Sequence, residues 1–65
     1  MREKIIEYLL ANSPFNYSEC EGIADEIEGI SNAGYIREVI MSYIGGEDDY
    51  AYETAYELAE GILKL

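Results

Sequence analysis

Carboxylates make up most of the side chains in this sequence that could do chemistry. Fourteen aspartates and glutamates stand against four lysines and arginines, which gives a formal net charge of −10 at pH 7, and histidine is absent. General acid–base catalysis needs a carboxylate held in a dry cleft with a shifted pKa, and a chain of 65 residues has little core in which to build one. The composition therefore predicts a protein that is not an enzyme and has no catalytic residue.

The remaining candidates for chemistry are one cysteine and a short acidic segment. Cys20 recurs with apolar residues at helical spacing and has no histidine to lower its pKa, so a buried structural thiol is predicted. A single cysteine without histidine supplies neither a zinc site nor an internal disulfide. The acids at positions 47–49 do not follow the ligand order of a calcium-binding EF-hand loop. We therefore expect no cofactor and no metal.

The carboxylates are arranged in rows rather than scattered. Steps of three or four residues separate the members of two rows, one of Glu21, Asp25 and Glu28 and one of Asp49, Glu53, Glu57 and Glu60. On a helix these steps place each row along one side, with about 4.5–6 Å between successive members. Like charges at this spacing destabilise a helix by about 0.2–0.5 kcal/mol per pair, so the pattern indicates a further use for the charge.

Three interpretations of the rows are open: solubility or adaptation to high salt, imitation of a nucleic-acid backbone, and some other acidic adaptor. DNA presents regularly spaced negative charge, and a protein groove that binds phosphates can accept carboxylates at similar intervals. Tyr52 and Tyr56 flank the second row, and tyrosine is enriched at binding surfaces, so both are predicted to contact a partner. Tyr8, Tyr35 and Tyr43 are instead expected to fill the core.

The combination of small size, strong negative charge, helical pattern and carboxylate rows flanked by tyrosines resembles the phage-encoded nucleic-acid mimics, in particular the anti-CRISPR proteins. The resemblance implies a monomeric inhibitor in the cytoplasm of a bacterial host cell. It would bind a basic nucleic-acid-binding protein, a subunit of a CRISPR effector, and block capture of target DNA without binding nucleic acid itself. The predicted partner-binding residues are Glu21, Asp25, Glu28, Asp49, Tyr52, Glu53, Tyr56, Glu57 and Glu60.

A second pattern favours a different class of protein. The segment Ile23–Ser31, followed by Tyr35 and Val39, resembles the turn of helix-turn-helix proteins, although it has one extra residue before Gly29. Arg37 is the only basic residue in the helix that would read DNA, and a strongly acidic protein is repelled by phosphates. The alternative is therefore a small helix-turn-helix-like adaptor or transcriptional regulatory module that acts through protein–protein contacts.

Four helical stretches must position these residues. The first runs from Arg2 to about Ala11 and ends at the segment 12–14, which contains the only proline. The second begins near Asn16 or Ser18, since each is followed three residues later by a glutamate, as a capping box requires. Its apolar stripe extends to Ile30, while Gly22 indicates close packing against a neighbour and Gly29 indicates the helix end.

The third and fourth stretches complete the predicted fold. The segment 31–34 is a short connection, and the third helix then runs to the glycine pair at 45–46. Asp48 or Asp49 caps the fourth helix, which is predicted to reach Leu65. The stripes of the first and fourth helices include Leu10 and Leu63. The sequence therefore predicts an all-α fold, a single domain over residues 1–65 built as a small bundle of three to four short helices. No apolar run is long enough for a membrane span, and the early acids do not suit a signal peptide.

Overall fold

The apolar stripes become four α-helices in the computed structural model, which describes all residues from 1 to 65 and contains no strand. They are α1 (Arg2–Asn12), α2 (Tyr17–Ile27), α3 (Ala33–Ile44) and α4 (Asp49–Leu63). The predicted all-α bundle is thereby confirmed. Each helix contacts two others, in the order α1, α2, α3, α4 and back to α1. The helices α2 and α4 are not direct neighbours and lie diagonally across the bundle.

Side-chain caps fix where three of the helices begin. The Asn16 side chain accepts a hydrogen bond from the Glu19 backbone N–H at 2.8 Å, and the Glu19 carboxylate accepts one from the Asn16 N–H at 2.9 Å. This capping box places the start of α2 at the first of the two predicted positions. Asn32 caps α3 and Asp48 caps α4 with a single bond each, in which the side-chain oxygen accepts from the backbone N–H three residues later. The third helix therefore begins at Ala33, so the last two residues of the predicted connection 31–34 belong to the helix.

The second helix ends earlier than its apolar pattern predicts. Glu28 leaves the helical region, with φ of −56° and ψ of 127°, and Gly29 follows with φ of +80°, a region that glycine adopts without strain. The chain therefore turns away after Ile27. Ile30, which was predicted to lie in the buried stripe, is 39% exposed, and Glu28 does not continue the α2 row as a helical residue.

The core consists of aliphatic side chains from all four helices together with Phe15 from the connection between α1 and α2. Cys20 lies inside it, as predicted, and burial raises the pKa of its thiol, with a smaller contribution from the charge of Glu19. Leu9 is fully buried, whereas its neighbour Leu10 is 45% exposed at the edge of a shallow groove beside Tyr17. The prediction that Leu10 belongs to the buried stripe is therefore wrong. The fourth helix ends at Leu63, which is itself exposed.

Two glycines allow tyrosine rings to lie against helix backbones. A Cβ atom at Gly22 would come 3.2 Å from Cζ of Tyr43 and closer still to its hydroxyl, which confirms the predicted close packing. A Cβ atom at Gly61 would come 3.0 Å from Cε1 of Tyr8 and overlap the end of the ring. Tyr8 on α1 therefore packs over α4 only because Gly61 has no side chain.

We expect Gly61→Ala to lower the free energy of unfolding by about 1–2 kcal/mol. Overpacking costs about 1–3 kcal/mol, which exceeds the gain of up to about 1 kcal/mol from the higher helix propensity of alanine. Urea denaturation followed by circular dichroism measures the change. In a Tyr8→Leu background the ring is gone, so the same substitution should become neutral or stabilising. A similar loss in both backgrounds would contradict the contact.

Candidate functional site

Four carboxylates form a continuous row on the outer side of α4. The helix buries its opposite side, which consists of Ala51, Ala55, Leu58, Ala59 and Ile62. Asp49, Glu53 and Glu57 are exposed, and Glu60 is half-buried. None of the four forms an ion pair with a lysine or arginine of the protein. We call Asp49, Glu53, Glu57 and Glu60 the acidic face; it presents the row that the residue spacing predicts, with its charges free.

The row on α2 differs, because the protein's own arginine neutralises part of it. The Arg2 guanidinium donates to Glu21 at 3.3 Å and also to Asp25, and these are the two ion pairs in the molecule. The hydrogen bond to Asp25 first, and that to Glu21 second, raise the pKa of Arg2 above its usual value. Glu28, the third member, lies beyond the end of α2. Partner binding by these three residues stays a prediction, but they do not form a free row along one helix.

The two rows lie on different sides of the molecule. Because α2 and α4 are diagonal in the bundle, the outer side of one faces away from the outer side of the other. The molecule measures 29 × 23 × 17 Å, and a flat surface can meet only one row at a time. The acidic face of α4 is the longer row and the one without an ion pair.

The tyrosines predicted for partner contact lie beneath an arginine from α3. The Arg37 guanidinium carbon is 5.9 Å from the ring centre of Tyr52 and 5.4 Å from that of Tyr56. Cation–π contacts of this kind contribute about 0.5–1 kcal/mol at an exposed site. The rings remain 55% and 45% exposed, so the structure leaves them accessible beside the acidic face. Arg37 is the one basic side chain in the helix that would read DNA under the helix-turn-helix alternative. In the structure its guanidinium lies over these two rings.

The other tyrosines follow the core prediction only in part. Tyr8 and Tyr43 are half-buried and pack against the core, as expected. Tyr35 is exposed instead, because it lies in the first turn of α3, before the buried positions that begin at Ile36. The prediction that Tyr35 fills the core is therefore wrong.

A cleft of about 280 Å³ opens on the other side of α4 from Arg37. We call it the aromatic cleft; its walls include Phe15, Tyr43 and Tyr50, and its edge includes Glu19 and Thr54. The rings of Phe15 and Tyr43 meet edge to face, with centroids 6.4 Å apart and an interplanar angle of 71°. Tyr50 is 79% exposed and lies between the first two acids of the acidic face in the sequence. No pattern in the sequence indicates this cleft, because its residues come from α2, α3, α4 and one connection.

Two further features of the chain bear on the kinds of site present. No three cysteine, aspartate or glutamate side chains converge in a group that could hold a metal ion. None of the four helices combines the length and the apolar character needed to cross a membrane.

The candidate functional residues are surface groups around α4: a row of carboxylates without ion pairs, an arginine held over two tyrosines, and a cleft with aromatic walls. Comparison of the chain with models of protein families, with curated proteins and with solved structures gave no match.

Proposed function

We propose that this protein is a non-enzymatic inhibitor that occupies the nucleic-acid-binding surface of a bacterial CRISPR effector in place of target DNA. The observation that supports the proposal is the acidic face of α4, whose carboxylates have no cation of their own to pair with. A groove that binds DNA neutralises phosphates with lysine and arginine. The same basic groups would pair with these carboxylates.

The length of the acidic face suits a short stretch of a DNA strand. From Asp49 to Glu60 the helix rises about 16.5 Å, and one strand of B-DNA carries a phosphate about every 3.4 Å along the axis. The four carboxylates therefore span a length equal to about five phosphate intervals of one strand, and their charge density is lower than that of DNA. Tyr52 and Tyr56 lie beside the row and would add apolar contact where the charges are sparse.

Repulsion within the row also favours a basic partner. Asp49, Glu53 and Glu57 follow each other at intervals of four residues, a spacing at which each like-charged pair costs a helix about 0.2–0.5 kcal/mol. Lysines and arginines of a partner would remove this cost on binding. The net charge of −10 would also accelerate the encounter with a positive groove, and salt would slow it.

Inhibition of DNA binding by purified CRISPR effectors tests the proposal. The protein is mixed with each effector before labelled target DNA is added, and fluorescence anisotropy reports the bound DNA at two salt concentrations. We expect at least one effector to lose DNA binding, and we expect the higher salt to weaken the inhibition. The protein alone should leave the anisotropy of the labelled DNA unchanged.

Two results would count against this function. If no effector lost DNA binding, the acidic face would have no role as a substitute for DNA. If the protein itself bound the labelled DNA at low salt, the helix-turn-helix alternative would be favoured instead.

A further inference from the structure

The aromatic cleft combines apolar walls with one charged group at its edge. Phe15, Tyr43 and Tyr50 supply aromatic surface, and Ile44 and Leu58 add aliphatic surface. Glu19 is the only charged residue among those that line the cleft, and no lysine or arginine does so. The cleft therefore suits a ligand that is apolar along most of its length and positively charged at one point.

Glu19 has an oxygen available for such a ligand. One oxygen of its carboxylate, Oε1, accepts the capping hydrogen bond from the Asn16 N–H at 2.9 Å, and this bond holds the side chain in place. The other oxygen, Oε2, has no partner in the protein and is not enclosed. A carboxylate oxygen that is already oriented loses little freedom when it accepts a charge-assisted hydrogen bond.

The surroundings of the cleft strengthen the preference for a cation. Glu53 follows Tyr50 by three residues in α4, a spacing that makes the two side chains neighbours on the helix surface. Tyrosine faces attract cations as well. An anionic ligand would meet only negative charge here.

We propose that the aromatic cleft is a pocket for an arginine side chain of the partner. The aliphatic stem of arginine packs along Phe15 and Ile44, while its guanidinium donates to Oε2 of Glu19 and lies near the ring of Tyr50. The cleft volume of about 280 Å³ is close to the lower end of ligand pockets, about 300 Å³, and is sufficient for one side chain. This inference rests on the proposed function, because it assumes a basic partner, and it adds a specific contact beside the acidic face.

Titration with a small arginine derivative tests the pocket without a partner protein. N-acetyl-arginine methylamide is added to the isotope-labelled protein, and amide spectra are recorded by NMR. We expect saturable shifts at Glu19, Tyr50 and Thr54, with millimolar affinity. N-acetyl-citrulline methylamide has nearly the same shape without the charge, and we expect it to bind about tenfold more weakly, equivalent to about 1.4 kcal/mol.

Glu19→Gln is the decisive variant, because glutamine also completes a capping box and so preserves the start of α2. We expect it to reduce arginine binding about tenfold, to the level of citrulline. Glu26→Gln removes the same charge from an exposed position on the same helix and is the matched control, with binding unchanged.

Three outcomes would overturn the pocket. Equal binding of citrulline and arginine would show an apolar groove only. Unchanged binding in Glu19→Gln would exclude the proposed ion pair. Shifts that spread over all acidic residues without saturation would show general charge screening. The proposed function fails separately, if arginine binds the cleft but no effector loses its DNA.

Discussion

Replacing Glu53 and Glu57 together by lysine should weaken binding to a basic partner by at least 100-fold, while the helical content stays unchanged. Both residues are exposed on the acidic face and form no ion pair, so the fold loses no attractive contact when their charges are reversed. Each hydrogen bond to a charged group contributes about 1.5–3 kcal/mol, and losing two corresponds to a factor of 100 or more. Reversal further adds repulsion from the partner's own cations. Inhibition of DNA binding by the effector measures the effect, and circular dichroism checks the fold.

The matched control for this variant is Glu3→Lys combined with Glu7→Lys. These two exposed acids lie four residues apart on α1, so the net charge changes by the same amount, from −10 to −6 when two negative charges become two positive ones. We expect the control to inhibit nearly as well as the original protein. If both variants lost inhibition equally, only the total charge would matter. If both variants retained inhibition, the acidic face would not be the contact surface.

Leu9→Ala should leave the protein largely unfolded at room temperature. Leu9 is fully buried on the core side of α1, and Leu→Ala substitutions at such sites cost about 3–5 kcal/mol. A domain of this size without a disulfide or metal is expected to be stable by only about 3–5 kcal/mol. Thermal denaturation followed by circular dichroism measures the loss.

The neighbouring residue supplies an internal control for this prediction. Leu10 is chemically identical and adjacent, but it is 45% exposed, so Leu10→Ala should change the stability by no more than about 0.5 kcal/mol. Similar effects of the two substitutions would contradict the packing of α1 described above.

The local features of this fold were predictable because their causes are local. A cap acts within three residues, so the sequence narrows the start of α2 to Asn16 or Ser18 and that of α4 to Asp48 or Asp49, and the structure has Asn16 and Asp48. The row on α4 follows from helical periodicity in the same way, and it lies where the spacing places it. The pattern could not show that Leu10 falls at the edge of its stripe, because burial at an edge depends on how far a neighbouring helix extends. It also carried the apolar stripe of α2 on to Ile30, although the helix ends at Ile27 and the chain turns away there.

The features that distinguish the two rows could not be predicted, because they depend on contacts between helices. Arg2 reaches Asp25 and Glu21, which are 23 and 19 residues away in the sequence, only because α1 packs on α2. Arg37 meets Tyr52 and Tyr56 because α3 packs on α4. The aromatic cleft likewise appears only once four segments of the chain are assembled.

The diagonal placement of α2 and α4 has a consequence for the complex that we propose. When α4 is inserted in a basic groove, α2 must be on the side turned to water, and it still carries Glu26 and the incompletely neutralised pair around Arg2. In that complex the effector would show a negatively charged exterior at the place where DNA enters. That exterior would repel competing strands before they reach the groove, and the repulsion would weaken as ionic strength rises.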